Sequence, residues 1–199
     1  AVQPIDLTAG EIGVRIGVNW VPKEIYEQFL YEVIGTSAYA RYKIKVLYSP
    51  HSGEWNVTNK SFDGSNIKAV TTYGTKRINA YHIFEQALNQ KDVRIYDTKI
   101  DANGNEVRVL NKKETAIAQD RQELIKAKFA EWVWKDIDRR ERLCGIYNET
   151  FNAIRPREYD GQHIRFSGMN PEITLRPHQL NAIAHVLYGN NVLLAHEVG

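Results

Sequence analysis

Residues 93–134 read VRIYDTKIDANGNEVRVLNKKETAIAQDRQELIKAKFAEWVW, and this stretch carries the clearest indication of the fold class. Apolar and polar residues alternate on both sides of Asn103-Gly104, a dipeptide that is a strong signal for a β-hairpin turn. From residue 112 to residue 134 the apolar spacing becomes that of one helical stripe, made of Ile117, Leu124, Ile125, Phe129, Trp132 and Val133. A hairpin followed directly by a long helix favours an α+β fold over a repeating βαβ plan.

The sequence before this stretch predicts a helix, a first hairpin and a second helix. Pro22 suits the first turn of a helix, and apolar residues then recur at helical spacing as far as Ile34. Alternation on both sides of residues 50–53 predicts a hairpin between about residues 44 and 57. Thr75 is the expected N-cap of a helix that ends near Asn89.

The sequence after this stretch predicts two more amphipathic helices separated by a connector. Asp136 is the expected N-cap of the first helix, and residues 154–171 show no clear periodicity, which is typical of a connector. Pro177 begins the second helix. The apolar run Val192–Ala195 follows it and has the composition of a strand that is buried on both faces of a parallel sheet.

The composition is that of an ordinary globular protein. Of the 199 residues, 43% are hydrophobic and 25% are charged, and the net charge of +2 is compatible with nucleic-acid binding without demanding it. No apolar run approaches the length of a membrane span, and the first residues lack the plan of a secretory signal. The single cysteine, Cys144, cannot form an intramolecular disulfide, so we expect a cytoplasmic location.

Basic residues indicate where DNA could bind, because cations neutralise phosphates while neighbouring tyrosines stack on unpaired bases. The tyrosines in question are Tyr73 and Tyr81. The candidate phosphate contacts are Lys68, Lys76, Arg77, Arg139, Arg140 and Arg142. We expect the three arginines mainly on the exposed side of their helix. A solvated helix face is the alternative, because acidic residues lie among these arginines.

The sequence contains no constellation typical of a catalytic or metal site. The six histidines are scattered, and together with one cysteine they do not give the spacing of a zinc site. No serine lies in a GxSxG turn. We therefore expect neither a catalytic residue nor a metal-binding site in this chain.

The end of the chain resembles a known ATPase motif. LRPHQLNAI (residues 175–183) resembles the segment before motif I of superfamily-two helicases and Swi/Snf-type translocases, and HEVG (residues 196–199) resembles the opening of motif I. The resemblance implies that Gln179 contacts the adenine of ATP, that Arg176 supports the adenine or phosphate side, and that Glu197 and Gly199 approach the phosphates. A glutamine that merely faces solvent is the alternative for Gln179.

Residues 110–134 and 142–173 resemble very large bacterial mobile-element proteins, in which a DNA methyltransferase module precedes a helicase module. The resemblance implies an accessory domain over residues 1–165 and the first helix and strand of a truncated RecA-like domain over residues 166–199. We expect the chain to be a fragment that stops before the motif I lysine.

The resemblance also implies partners and cofactors. The whole protein would use ATP and Mg²⁺, neither of which is expected to bind tightly to this chain. Its partners would be DNA and the adjoining helicase and methyltransferase modules. A purely structural interaction module without nucleic-acid contact is the alternative, and so is an unrelated protein whose end imitates motif I.

Overall fold

The structure, a computed structural model, describes residues 4–101, 104–154, 158–189 and 191–194. It divides into two compact units, a larger one formed by residues 5–153 and a smaller one formed by Pro4 and the residues from Ile154 onward. The division lies at the start of the predicted connector. In chain order the elements are α1 (Lys23–Phe29), β1 (Val46–Ser49), β2 (Glu54–Val57), α2 (Ala80–Leu88), β3 (Tyr96–Ile100), β4 (Glu106–Leu110), α3 (Lys112–Trp132), α4 (Ile137–Phe151) and α5 (Pro177–Tyr188).

The predicted α+β fold is confirmed. β1 and β2 form one antiparallel two-stranded sheet, in which Tyr48 faces Trp55 across the strands. β3 and β4 form a second antiparallel sheet, in which Lys99 faces Val107. The turn predicted at Asn103-Gly104 falls partly outside the described residues.

The first predicted helix is confirmed, but its second half is not α-helical. α1 continues into a π-helical turn over Leu30–Ile34, and Gly35 ends it in the left-handed region at φ +76°. A second π-helical turn covers Lys68–Thr72. Single π-helical turns are rare and often occur at functional sites.

The second predicted helix begins later than expected. Asn79, rather than Thr75, caps α2, because the Asn79 Oδ1 atom accepts the His82 N–H at 3.1 Å. The Thr75 hydroxyl instead accepts the N–H groups of Arg77 and Ile78, each at 3.2 Å. Thr75 therefore closes a turn before the helix, and the prediction of a Thr75 cap was wrong.

The core of the larger unit is built on aromatic rings from α1, α2 and α3. Phe29 stacks on Phe84 with ring centroids 5.6 Å apart, and Tyr26 stacks on Phe129 at 5.4 Å. Trp132 meets Phe29 edge-on at 5.3 Å. Large buried aromatic side chains dominate core energetics, so these contacts fix the three helices against one another.

Gly17 holds the loop before α1 against the end of α2. Its φ is +87°, and a Cβ atom there would lie 2.0 Å from the Leu88 carbonyl oxygen, so only glycine fits. The Gly17 N–H donates to the Tyr26 hydroxyl at 3.0 Å, and Trp55 Nε1 donates to the Gly17 carbonyl at 3.0 Å.

The long helix α3 was predicted correctly, but part of its inward face is polar. Thr115 and Gln122 are buried, whereas Ile117, which the apolar stripe placed inward, is 37% exposed. The Thr115 hydroxyl accepts the Ile95 N–H at 2.9 Å, and Gln122 Oε1 accepts the Val93 N–H at 3.2 Å. Polar side chains thus satisfy a backbone segment that runs along the helix.

In the smaller unit, α5 begins at Pro177 as predicted. Gly161 packs closely on this helix, because a Cβ atom there would lie 1.9 Å from the Leu180 carbonyl oxygen. The strand predicted after α5 is absent over Val192–Leu194, and Leu193 is 89% exposed. A strand needs a hydrogen-bonded neighbour, and the described residues of this unit contain no other strand. The last predicted strand residue, Ala195, lies outside the described residues.

Over the described ranges, no helix has the length and apolar character needed to cross a membrane.

Candidate functional site

A groove on the larger unit brings basic, apolar and imidazole groups together. Its volume is about 590 Å³, within the ~300–1,000 Å³ range of small-molecule sites. We call it the Lys76 groove and define it by Val70, Lys76, Arg77, Ile78, His82 and Ile95, which all line it.

Four neighbouring segments supply the six residues that define the Lys76 groove. The second π-helical turn supplies Val70, the loop before α2 supplies Lys76, Arg77 and Ile78, and the first turn of α2 supplies His82. Ile95, immediately before β3, completes the apolar part. Since Ile95 is buried and Ile78 packs against the core, the apolar side of the groove rests on the rigid part of the fold.

The proton of His82 is fixed by its neighbour Asn79. Asn79 Nδ2 donates to the Lys60 carbonyl at 2.8 Å, so the amide orientation places Oδ1 toward His82. His82 Nδ1 lies 2.9 Å from this oxygen, which can only accept, and therefore Nδ1 carries the hydrogen. The neutral ring then presents Nε2 as a hydrogen-bond acceptor.

Burial lowers the pKa of His82, and the positive charge of Lys60 lowers it further, while Glu85 opposes the shift. The imidazole is therefore neutral at physiological pH. Lys60 itself is bound to Glu85 at 2.6 Å, which leaves it little freedom to contact a ligand.

The two basic groups at the groove differ in their availability. The Arg77 guanidinium donates to Asp97 Oδ1 at 2.8 Å and to the Tyr96 carbonyl at 3.0 Å. Lys76 is exposed. Of the predicted phosphate contacts at this end of the unit, Lys76 is thus the freer cation, while Arg77 mainly ties the loop before α2 to β3.

Lys68, the third predicted contact of this group, does not line the Lys76 groove. It is exposed, and its Nζ atom would lie 4.0 Å from a Cβ placed on Gly35, at the end of the first π-helical turn. The structure therefore brings Lys76 and Arg77 together and places Lys68 elsewhere.

Tyr81 cannot stack on a base, because its ring is fully buried. Its hydroxyl donates to Asp63 Oδ2 at 2.7 Å and lies 3.0 Å from the Thr36 hydroxyl. Burial raises the pKa of this phenol, with the Asp63 carboxylate adding to the shift. Tyr73 is only 9% exposed. The expectation that these two tyrosines contact DNA was wrong, because both belong to the core.

Arg139 does not lie on the exposed side of α4, so that expectation was also wrong. Its side chain is buried, its Nε donates to the Val133 carbonyl at 3.0 Å, and its Nη2 donates to the Trp132 carbonyl at 2.9 Å. The guanidinium carbon lies 3.5 Å from the centroid of the Trp132 ring, and Nη1 lies 3.7 Å from Glu32 Oε2. The last carbonyls of a helix lack partners within that helix, and Arg139 binds two at the end of α3, those of Trp132 and of the C-cap residue Val133.

The two remaining arginines are exposed but are not neighbours on the helix surface. Arg140 lines a shallow groove of about 450 Å³ with Cys144 and the segment from Asp6 to Ala9. Burial raises the pKa of the Cys144 thiol, against the effect of Arg140. Arg142 lies two positions further, about 200° around the helix axis. The three arginines therefore do not form one phosphate-binding patch.

In the smaller unit, Gln179 is exposed in the first turn of α5. Its Oε1 accepts the Arg176 N–H at 2.9 Å, so the carboxamide closes the start of the helix. A groove of about 410 Å³ lies beside this turn and is lined in part by Arg165, Phe166, Leu175 and Leu180. Arg176 is exposed at the N-cap position. Glu197 and Gly199, the other predicted nucleotide contacts, lie outside the described residues.

Within the part of the chain that the structure describes, no three His, Cys, Asp or Glu side chains are grouped closely enough to hold a metal ion. The sequence located Lys76 and Arg77 by their charge, but it gave no reason to single out His82. The useful signal is Asn79 three residues before His82, at the start of an amphipathic helix. That spacing allows one amide oxygen to accept both the backbone N–H and the ring N–H of the histidine.

The comparisons with known proteins identify a family without assigning a function. A family model described as "Domain of unknown function (DUF8437)" matches residues 15–153, which make up most of the larger unit. No curated protein and no solved structure matches the chain. Because the matched residues cover more than half of the sequence, the chain belongs to the DUF8437 family.

Proposed function

We propose that this chain serves an ATP-dependent bacterial DNA helicase or translocase that is fused to a DNA methyltransferase. In this proposal the larger unit binds DNA or joins the adjoining helicase and methyltransferase modules, and the smaller unit begins the ATPase core. ATP and Mg²⁺ are the cofactors of the whole protein, which acts in the cytoplasm.

The observation that carries the proposal is the exposed carboxamide of Gln179 in the first turn of α5. A carboxamide can donate to adenine N7 and accept from the adenine amino group in one planar contact. Gln179 Oε1 has two lone pairs, so the hydrogen bond from the Arg176 N–H leaves one for the base. The hydrogen bond from the Arg176 N–H therefore orients the Gln179 side chain and still allows it to contact adenine.

The groove beside this turn supports the same assignment. Phe166, Leu175 and Leu180 give it an apolar lining on which a base could pack, and Arg165 places a cation at its edge. If Arg176 contacts the nucleotide, it does so through its guanidinium, because its backbone N–H is bound to Gln179.

The test is DNA-stimulated ATP hydrolysis by the polypeptide of natural length. The variant Q179E keeps an oxygen that accepts the Arg176 N–H but loses the donor to adenine N7. Because a good bidentate pair contributes about 1–3 kcal/mol, Q179E should raise the KM for ATP by roughly 5- to 150-fold and reduce the preference for ATP over GTP. Circular dichroism provides the control that the helix is intact. A polypeptide without DNA-stimulated hydrolysis would refute the proposal.

A purely structural module is the second candidate, and the exposed apolar residues of β4 favour it. Val107 and Val109 are 43% and 41% exposed on one face of the strand. Salt dependence separates the two functions, because phosphate contacts make DNA affinity fall steeply with added salt. The variant pair R140A and R142A is the appropriate probe, since removing the buried Arg139 would disturb the fold. A chain that binds no DNA at low salt would be a structural module.

A further inference from the structure

The Lys76 groove combines an apolar surface, a cation and a hydrogen-bond acceptor. A site that contacts phosphate alone would need only the cation. Val70 and Ile78 provide the apolar surface, Lys76 the cation and His82 the acceptor. An unpaired nucleotide has a matching group for each of these: the face of its base, its phosphate and the hydrogen-bonding edge of its base.

We propose that the Lys76 groove binds one unpaired amino-bearing nucleotide, such as adenine, from a DNA strand, with its phosphate on Lys76 and its amino group on His82 Nε2. This proposal deepens the proposed function and rests on the DNA-binding part of it. It names single-stranded DNA as the form of nucleic acid that this face of the larger unit recognises.

The apolar part of the groove favours an unpaired base over a duplex. In a duplex the base faces are stacked on one another, and a protein reaches only phosphates and base edges. A single strand can place a base face on the apolar lining at Val70 and Ile78, which are both partly exposed. The groove volume of about 590 Å³ is sufficient for a small organic ligand.

The charges around the groove fit one phosphate rather than many. Arg77 is bound to Asp97 at 2.8 Å, and Lys60 is bound to Glu85 at 2.6 Å. Among the residues that the structure describes, Lys76 is therefore the cation lining this groove for which no ion pair is seen. One lysine neutralises one phosphate, which matches a single bound nucleotide.

The acceptor on His82 distinguishes among bases. Nδ1–H is held by Asn79, so the neutral ring offers Nε2 to a donor such as the amino group of adenine. Protonation turns Nε2 into a donor and removes this contact. The charged groups that face the imidazole are Lys60 and Glu85, which are paired with each other at 2.6 Å.

The test measures fluorescence anisotropy of the full 199-residue chain with labelled oligonucleotides. The probes are ten-residue deoxyadenylate, the same length of 2′-deoxynebularine, which lacks the amino group, and a duplex of equal length. We expect tighter binding of deoxyadenylate than of either comparison probe at pH 7.5. The preference over 2′-deoxynebularine should fall as the pH is lowered through the pKa of His82, which burial holds below its usual value.

Two variants, each of which removes one positive charge, test the phosphate contact. K76A should reduce the slope of log Kobs against log salt by about 0.7, the value for one phosphate contact on a single strand. K91A is the matched control, because Lys91 is exposed and pairs with Glu54 at 2.9 Å outside the groove. We expect K91A to leave the slope unchanged.

Equal binding of deoxyadenylate and 2′-deoxynebularine at pH 7.5 would overturn the proposal, and so would an unchanged slope in K76A. DNA-stimulated ATP hydrolysis with duplex binding alone would retain the proposed function and reject this site. Amino-dependent single-strand binding without DNA-stimulated hydrolysis would retain this site and reject the helicase assignment.

Discussion

Replacing Arg139 by methionine should destabilise the larger unit by about 2–3 kcal/mol. Methionine keeps most of the side-chain length over Trp132 but donates no hydrogen bonds. The Val133 carbonyl would lose the 3.0 Å bond from Arg139 Nε, whereas the Trp132 carbonyl would keep the bond from the Lys135 N–H at 3.1 Å. A buried carbonyl left without a partner costs about 1–3 kcal/mol.

Two further effects enter this magnitude. The guanidinium lies 3.5 Å from the Trp132 ring centroid, and a desolvated cation–π contact contributes about 2 kcal/mol. Against this, methionine avoids the free-energy cost of burying a positive charge. The same cost is seen in Arg139, because burial lowers the pKa of its guanidinium. The net loss of stability, about 2–3 kcal/mol, therefore corresponds to one buried carbonyl without a hydrogen bond and part of the cation–π contact.

Urea unfolding followed by circular dichroism measures the difference. R140M is the matched control, because Arg140 is exposed on the same helix and its replacement should change the free energy of unfolding by less than about 0.5 kcal/mol. A loss below about 1 kcal/mol in R139M would refute the structural role. So would normal stability combined with a reduced salt slope of DNA binding, because the guanidinium would then contact phosphate.

Other substitutions test separate parts of the fold. G17A should cost about 3 kcal/mol or more in urea unfolding, because φ is +87° and the new Cβ would meet Leu88, while G13A, with nothing within 4 Å, should be nearly neutral. Burial raises the pKa of Asp63, but hydrogen bonds from Ser37, Tyr81 and Asn66 together lower it by more, so the net pKa is below the usual value. The Asp63 contribution to stability is therefore full above about pH 4 and is lost as the pH falls toward the folded pKa, so D63N should show a smaller acid-induced decline than the wild type. Q122L should cost about 2–3 kcal/mol by leaving a buried backbone N–H without its acceptor, and a calorimetric scan with unchanged melting temperature would contradict this.

Periodicity was sufficient to predict most of the helices and hairpins, but long-range hydrogen bonds decided where they begin and which side chains face inward. Thr75 and Asn79 are both good N-cap residues, and local sequence gives no preference between them. Asn79 caps α2 in a fold where its other amide atom reaches the Lys60 carbonyl, 19 residues earlier in the chain. Likewise, Gln122 faces inward because the backbone of residues 91–93 needs partners, which an apolar stripe does not show.

The same limit applies to the candidate sites. Charge alone identified Arg139 and Lys76 equally well, yet the first is buried and the second is exposed. Nothing local separates them, because the carbonyls that bind Arg139 belong to the end of the preceding helix. His82 gains its defined tautomer only through Asn79, so its role depends on the cap that the sequence did not resolve.

The distribution of exposed cations also limits how strongly any DNA affinity of the larger unit can depend on the salt concentration. Of the predicted phosphate contacts, Arg139 is buried and Arg77 is bound to Asp97, which leaves Lys68, Lys76, Arg140 and Arg142 exposed. If all four contacted a single strand, the slope of log Kobs against log salt would be about −3, at about 0.7 for each contact. A steeper slope would require cations from outside this set. Since Arg140 and Arg142 point in nearly opposite directions on α4, about 160° apart, a strand that follows one face of the helix contacts one of them, and we then expect a slope nearer about −2.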